Sequence, residues 1–277
     1  VNSKDNTFVI DANSRTPLNL KEIWEFRELL YFFAWRDIKV KYKQTFLGVT
    51  WAFIQPFLMM LVLNIFFGQM LHFPSETLPY SVFAFTGLII WNIFSSGTIN
   101  SSNSMLTNAV IIKKNYFPRI ILPLAAVIVS LFDFLVSFIL FGGLLIWFRV
   151  LPDLFRFIAF FPLAVLIALI TTVGTGVIIG AMSVRFRDFR IVMPFLIQLL
   201  LFITPVIYPI SAISNKTLYH VLALNPMAGA ISLARAALTH NPVDWNIIAI
   251  SGGMAVFIFI LGLIVFKKNE RLISDFA

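Results

Sequence analysis

The chain has 277 residues, 59% of them hydrophobic and only 12% charged, with a net charge of +8 and no cysteine. A soluble domain carries about a quarter charged residues, so this composition excludes an ordinary soluble fold and predicts a protein that crosses a bilayer several times. Without cysteine there is no disulfide, thiolate metal site or cysteine nucleophile.

In chain order, Asn19 with Glu22 three residues on matches a capping box and predicts a helix start. Leu20, Ile23, Trp24, Phe26, Leu30, Tyr31 and Phe33 then share one helical face, with Lys21, Glu22, Glu25 and Glu28 opposite. This is the pattern of a helix lying in a membrane interface, or packed on a soluble partner. The strip Arg36-Asp37-Ile38-Lys39-Val40-Lys41-Tyr42-Lys43 follows. Asp37 and Lys41 are spaced as an i,i+4 pair. Arg36, Lys39, Lys41 and Lys43 make a juxtamembrane cluster suited to anionic head groups.

A hydrocarbon core needs roughly 20 apolar residues per helix. Six runs qualify: Gly48–Leu71, Tyr80–Asn100, Ile120–Phe148, Phe157–Val184, Ile191–Ile210 and Ile247–Phe266. Basic residues crowd the segment before the first run, the 113–119 and 185–190 loops, and the tail. Of the 21 Lys and Arg, only Arg149, Arg156, Lys216 and Arg235 are left for the other side. The positive-inside bias therefore predicts two cytoplasmic termini. The fold class expected is an all-α integral membrane protein with six transmembrane helices, read as a single transmembrane domain over residues 1–277. It divides into a cytoplasmic or interfacial segment (1–47), a six-span core (48–266) and a cytoplasmic tail (267–277). Between the last two runs, His220–Leu224 and Met227–Leu238 are apolar but too short to span, and Asn225-Pro226 separates them. They read either as a re-entrant helical hairpin or as an amphipathic external cap.

Chemistry is sparse. No G-x-x-x-x-G-K-[ST], H-E-x-x-H or G-x-S-x-G pattern occurs, and the three histidines are scattered, so neither catalytic residues nor a metal site is expected. Asp133 is the one charge well inside a span, which marks it for a structural pair or a transport role. Gly176 and Gly180 form a G-x-x-x-G face for close helix packing, within the chain or at a dimer seam. Aromatic rings suit both membrane belts and the C–H faces of sugars. Trp91, Phe94, Phe202, Tyr208, Asn225 and Met227 are the candidates for the pathway and its exit.

Five blocks in order carry a resemblance. They are Arg36 to Thr45 with Leu47-Gly48, Trp51-Ala52 and Gln55-Pro56; Tyr116-Phe117-Pro118-Arg119 with Pro123; Arg185-Phe186-Arg187-Asp188 through Pro194-Phe195 to Thr204-Pro205-Val206-Ile207-Tyr208-Pro209; Asn225-Pro226-Met227-Ala228; and Phe266 to Glu270-Arg271. Nearly the whole chain resembles the membrane subunits of type-2 ABC exporters of polysaccharide, most of all those for O-antigen. The resemblance implies a homodimer working with two copies of a separate ABC ATPase, in the bacterial inner membrane, moving a lipid-linked polysaccharide. It implies no cofactor on this chain, with ATP and Mg held by the ATPase. It implies an N-terminal interfacial helix, external re-entrant helices before the last span, and a cytoplasmic coupling helix, for which Lys113, Lys114, Tyr116, Phe117, Pro118, Arg119, Arg185, Arg187 and Asp188 are the candidate residues. Lipid head groups and substrate would enter at Arg36, Lys39, Lys41 and Lys43. Capsule or teichoic-acid export, small-molecule ABC export and secondary transport are the alternatives. No nucleic-acid partner is expected. Because the phosphate loop is absent, the purified chain alone should hydrolyse no ATP. A coupled phosphate-release assay on rigorously pure protein checks this, and any turnover would contradict it.

Overall fold

The computed structural model describes residues 20–43, 48–75, 77–186 and 188–276. Asn19 of the expected capping box, Gln44, Thr45 and Leu47 of the strip before the first span, and Arg187 lie outside the described residues. Among the described residues the regular structure is entirely helical.

Two helices, α1 (Leu20–Glu25) and α2 (Arg27–Lys43), precede the first long apolar segment. That segment, Gly48–Met70, is α3 (Trp51–Leu63) between a tight opening turn and a wide π turn over Asn64–Met70. Pro56 lies inside α3 and has no N–H to give the carbonyl of Ala52, four residues earlier. Ser137 supplies the donor instead, its hydroxyl reaching Ala52 O at 3.0 Å. Next come α4 (Tyr80–Thr107), the short α5 (Ala109–Lys114), α6 (Ile121–Trp147), α7 (Leu154–Arg185) and α8 (Asp188–Ile203). Two short helices, α9 (Lys216–Ala223) and α10 (Pro226–Ala236), lead into α11 (Trp245–Phe276). Gly48–Met70, α4, α6, α7 and Trp245–Asn269 are long and apolar enough to cross a membrane. Helix α8, expected to be a full span, has 16 residues, about 24 Å of rise against a hydrocarbon core of about 30 Å.

Helix α4 is the axis of the bundle, with α3, α6, α7, α8 and α10 against it. Its seam with α7 is built from small residues. A Cβ on Gly97 would meet Thr172 at 2.5 Å, and one on Gly176 would meet Ser101 at the same distance. The G-x-x-x-G face thus packs on α4 of its own chain, not on a second copy. A parallel seam joins α7 to α11, where Gly262 and Gly174 face each other. Between α4, α6 and α7, the rings of Phe85, Phe134, Phe138, Phe141, Phe157 and Phe161 stack in one cluster, the closest centroids 5.0 Å apart. These six rings hold the three helices together.

Beyond α8 the chain leaves helical geometry at Thr204–Pro209, which is almost wholly buried. Four consecutive carbonyls in this stretch take donors from distant side chains. The Arg235 guanidinium, on α10, reaches Pro205 O at 2.7 Å, Val206 O at 2.6 Å and Tyr208 O at 3.5 Å. The Tyr80 hydroxyl donates to Ile207 O at 2.9 Å. Arg235 also bonds Phe83 O and lies 3.4 Å from the Phe83 ring centroid, so it ties α10 to the start of α4. Helix α10 is sandwiched among α4, α7 and α11, and Ala228, Ala230, Ile231, Leu233 and Ala234 are fully buried. Asn225 caps it through Met227 N at 3.0 Å, and Pro226 opens it at a position where no N–H is needed. Arg235→Lys offers one compact ammonium where a planar fork serves four carbonyls. It should cost roughly 3 kcal/mol or more, read as a lower melting temperature of detergent-solubilised protein; an unchanged melt would show that the clamp carries little.

Candidate functional site

Two regions gather the residues singled out from the sequence. The first is a groove of about 550 Å³ along α3, α4 and α8. Trp51, Gln55, Leu58 and Val62 of α3 form one wall, Pro194, Gln198 and Leu201 of α8 the other, and Trp91, Asn92 and Ser95 of α4 the floor. The arrangement follows from helical spacing: Trp51, Gln55, Leu58 and Val62 recur at three and four residues. Within the described residues the side-chain amides of Gln55, Asn92 and Gln198 form no hydrogen bond, and Gln55 and Gln198 are exposed. The lining has no Lys, Arg, Asp or Glu. Uncharged amides beside indole rings can hold a ligand that offers hydroxyls on its edges and C–H groups on its faces.

Trp91 lines this floor and is 4% exposed, its ring 5.2 Å from that of Phe94, which is buried. Phe202 is exposed on α8 and is not among the groove's lining residues. Tyr208 donates to Ile203 O at 2.7 Å and closes the end of α8. Asn225 is committed to capping α10 and to Thr204 Oγ1 at 2.8 Å, and Met227 is 1% exposed in the core. The groove therefore brings Trp91 together with Gln55 and Gln198, which sequence reasoning missed. Polar residues facing one side of otherwise apolar runs were the available signal.

The second region is the basic end of the bundle. Phe33 and Ala34 of α2 pack on Ile112, Phe117, Ile121, Leu122 and Ala125 of α5 and α6. Another aromatic row, Trp24, Tyr31, Phe32 and Trp35, stays exposed. Arg36 bridges to Asp37 and donates to Asn108 Oδ1 at 2.8 Å, which locks α2 to the corner between α4 and α5. The expected Asp37–Lys41 pair is not formed. Lys41 instead bonds Asp133 at 2.5 Å, and the Tyr42 hydroxyl donates to the other carboxylate oxygen. The reason is the better site: Asp133 is 14% exposed and an apolar helix leaves its charge little other solvation. Burial, then the hydrogen bond and charge of Asp133, push the Tyr42 phenol above its ordinary value, so it remains a donor. Lys39 lies over the Trp35 ring, 5.1 Å from its centroid. Lys39 and Lys43, with Phe32, Trp35, Arg36 and Val40, line a shallow cleft of about 320 Å³.

At the same end Lys113 and Lys114 are exposed in the last turn of α5. Tyr116 approaches Glu22 at 3.4 Å, Phe117 packs on Phe33 with centroids 5.7 Å apart, and Pro118 O accepts from Ile121 N at the start of α6. Arg119 is half-buried in this turn. Arg185 closes α7 with its guanidinium over Phe186, and Asp188 opens α8.

A family model described as ABC-2 type transporter matches residues 28–239, from α2 through α10. The chain belongs to the ABC-2 type transporter family. It is a multi-pass membrane protein of that family. The chain is 29% identical over 248 residues to a Klebsiella pneumoniae protein named O-antigen export system permease protein RfbA, covering 90% of this chain and 94% of that one. A Myxococcus xanthus protein of the same name is 31% identical over 218 residues, covering 78% and 82%. Polysialic acid transport protein KpsM of Escherichia coli is 26% identical over 243 residues, covering 85% and 91%. These relatives are permeases and transport proteins, in keeping with a membrane subunit that is not itself an enzyme. As an ABC-2 chain, it has its groove and its Asp133 pair both within the matched stretch.

Asp133→Leu would leave Lys41 and Tyr42 against an apolar surface, at a cost of about 2 kcal/mol. Asp133→Asn keeps an acceptor and should cost about half that. Combining Asp133→Leu with Lys41→Met should recover part of the loss, seen as a coupling energy in a double-mutant cycle of thermal stability. Strict additivity would refute the pair.

Proposed function

We propose that this chain is the membrane subunit of an ATP-driven exporter of lipid-linked, O-antigen-type polysaccharide. In this reading it works as a homodimer with two copies of a separate ABC ATPase, in the bacterial inner membrane, with both termini cytoplasmic. The observation that carries the reading is the uncharged amide-and-indole groove between two helices that have few neighbours of their own. Leu58, Val62 and Phe66 on α3, and Phe195, Leu199 and Phe202 on α8, expose apolar side chains beside it. A second copy against these faces would turn an open groove into a lined path. Helix α8 with its irregular continuation would be the sixth crossing, its bare carbonyls held by Arg235 and Tyr80 rather than by water. Helices α9 and α10 would be the re-entrant hairpin at the outer face, and α1–α2 would lie at the cytoplasmic interface, where the exposed aromatic row meets lipid.

ATP binding on the partner would act on α5 and the following turn, where Lys113 and Lys114 stand free for an acidic surface. Phe117 and Phe33 would carry that push into α2 and α6. The cleft with Lys39, Lys43 and Arg36 would meet the lipid's phosphate. Relatives include both O-antigen and polysialic acid transport proteins. A polyanion would be served by cations along its path, and the groove has none among its lining residues. This favours a glycan of low charge over a capsule-type polyanion.

Gln55→Ala with Gln198→Ala should lower glycan export roughly ten-fold, since each lost hydrogen bond is worth two- to ten-fold. The readout is surface glycan on cells whose own permease is deleted, at equal membrane levels of each variant. Undiminished export would remove the groove from the pathway.

A further inference from the structure

At the opposite end from α5, a pocket of about 310 Å³ opens between α9, α10 and the turn before α11. Seven polar side chains line it: Ser211, Tyr219, Ser232, Arg235, Thr239, Asn241 and Asp244. We infer that this pocket is a binding site for one neutral sugar ring, placed at the outer end of the protein and separate from the groove. The inference rests on the export reading only in taking the hydroxylated ligand to be a glycan.

The chemistry of the lining selects the ligand by elimination. An anion is disfavoured although Arg235 is present. A guanidinium has five N–H donors, and the five hydrogen bonds of Arg235 go to backbone carbonyls of Phe83, Pro205, Val206 and Tyr208. No N–H remains to aim at an oxyanion, and the Asp244 carboxylate would repel one. A divalent cation is disfavoured as well. Asp244 is the only carboxylate in the lining. One of its oxygens accepts from Tyr219, and the other caps α11 through Asn246 N at 3.2 Å and Ile247 N at 3.4 Å. Calcium wants six to eight oxygen ligands, and magnesium an octahedron.

A neutral polyol meets the remaining features. Its hydroxyls both donate and accept, as do those of Ser232 and Thr239. Thr239 is buried, and its hydroxyl makes no hydrogen bond among the described residues. A buried hydroxyl without a partner is uncommon, and a ligand hydroxyl at this wall would supply the bond it lacks. The Tyr219 oxygen, its proton committed to Asp244, is left as an acceptor. Burial and the bond to Asp244 push that phenol up to about 12, so the pair persists throughout neutral pH. The wall is held in place from behind, since Arg156 donates to the backbone oxygens of Thr239 and Asn241. The volume lies at the low end of small-ligand pockets, about 300–1,000 Å³, room for one ring and not for a chain. A site of this kind would hold a residue of an emerging glycan weakly, one ring at a time.

The test uses the full chain in nanodiscs without sugar-based detergent, and methyl α-mannopyranoside and methyl α-glucopyranoside as probes. Saturation-transfer NMR should show transfer to ring protons of at least one glycoside. Thr239→Val and Tyr219→Phe should each weaken binding about five-fold, the worth of one hydrogen bond, and equimolar sulfate should not displace the sugar. Ser232→Ala, on the half-buried rim, provides the same comparison if Thr239→Val does not fold. Absence of transfer to either glycoside, equal transfer in wild type and variants, or displacement by sulfate overturns the site. Absent transfer in a chain that still exports glycan from cells overturns the pocket and leaves the export reading standing. Variant-sensitive binding in a chain unable to export glycan supports the pocket against that reading.

Discussion

A carbonyl deprived of a donor in apolar surroundings costs several kcal/mol, and the irregular parts of this molecule are arranged around meeting that demand. Pro56 interrupts α3, and Ser137 of α6 takes over the carbonyl it abandons. The chain unwinds at Thr204–Pro209, and Arg235 and Tyr80 supply donors from α10 and α4. Tyr208 turns back to close Ile203 O. Each break is thus held by a particular side chain on another element, and the elements are held together by the same bonds. Helix α10 is therefore better seen as part of the core than as a cap on it. Its small residues let it lie among three helices, and its one arginine pins the break between α8 and α9.

Rigidity of that kind is concentrated at one end and along α4. The groove lies where it is weakest, between α3 and α8. Both helices touch α4 but leave much of their surface uncovered. A path for a polymer needs walls that bind little and can separate. In the proposed reading, side-chain amides without partners among the described residues, set among indole and aliphatic groups, would provide grip without a deep site. The contrast between the end clamped by Arg235 and the loosely flanked walls is what gives the proposed export mechanism a place to open.

The basic end shows the same economy in charge. Lys41 spends its charge on Asp133, and Arg36 on Asp37 and Asn108. Both bonds position α2 against the bundle. Lys39 and Lys43 remain on the outer side of the helix with the exposed aromatic row. The basic strip is thus a fastening for α2 and, in the proposed reading, also a surface for anionic partners. Mechanical force applied at α5 would reach α6 through this fastening.

Apolar runs and their flanks were enough to place most of the long helices. Helix α6, expected over Ile120–Phe148, is Ile121–Trp147. Helix α4 runs two turns past its expected end because Ser102, Ser104 and Thr107 look polar in sequence yet return their hydroxyls to carbonyls of their own helix. The family was also legible, since its blocks are short, local and in order. The groove was legible only in part: Trp91 stood out as an aromatic, whereas Gln55 and Gln198 look unremarkable until α3 and α8 face each other. Asn225 and Met227, singled out for the exit, serve the cap and core of α10. Hydropathy and periodicity are properties of neighbouring residues, so they report which segments are helical and apolar. Which donor meets which carbonyl is a property of residues far apart in the chain. Arg235 and Phe83 are separated by 152 positions, and Lys41 and Asp133 by 92. Only the tertiary structure decided those pairings, because only packing brings a lone donor within reach of a lone acceptor.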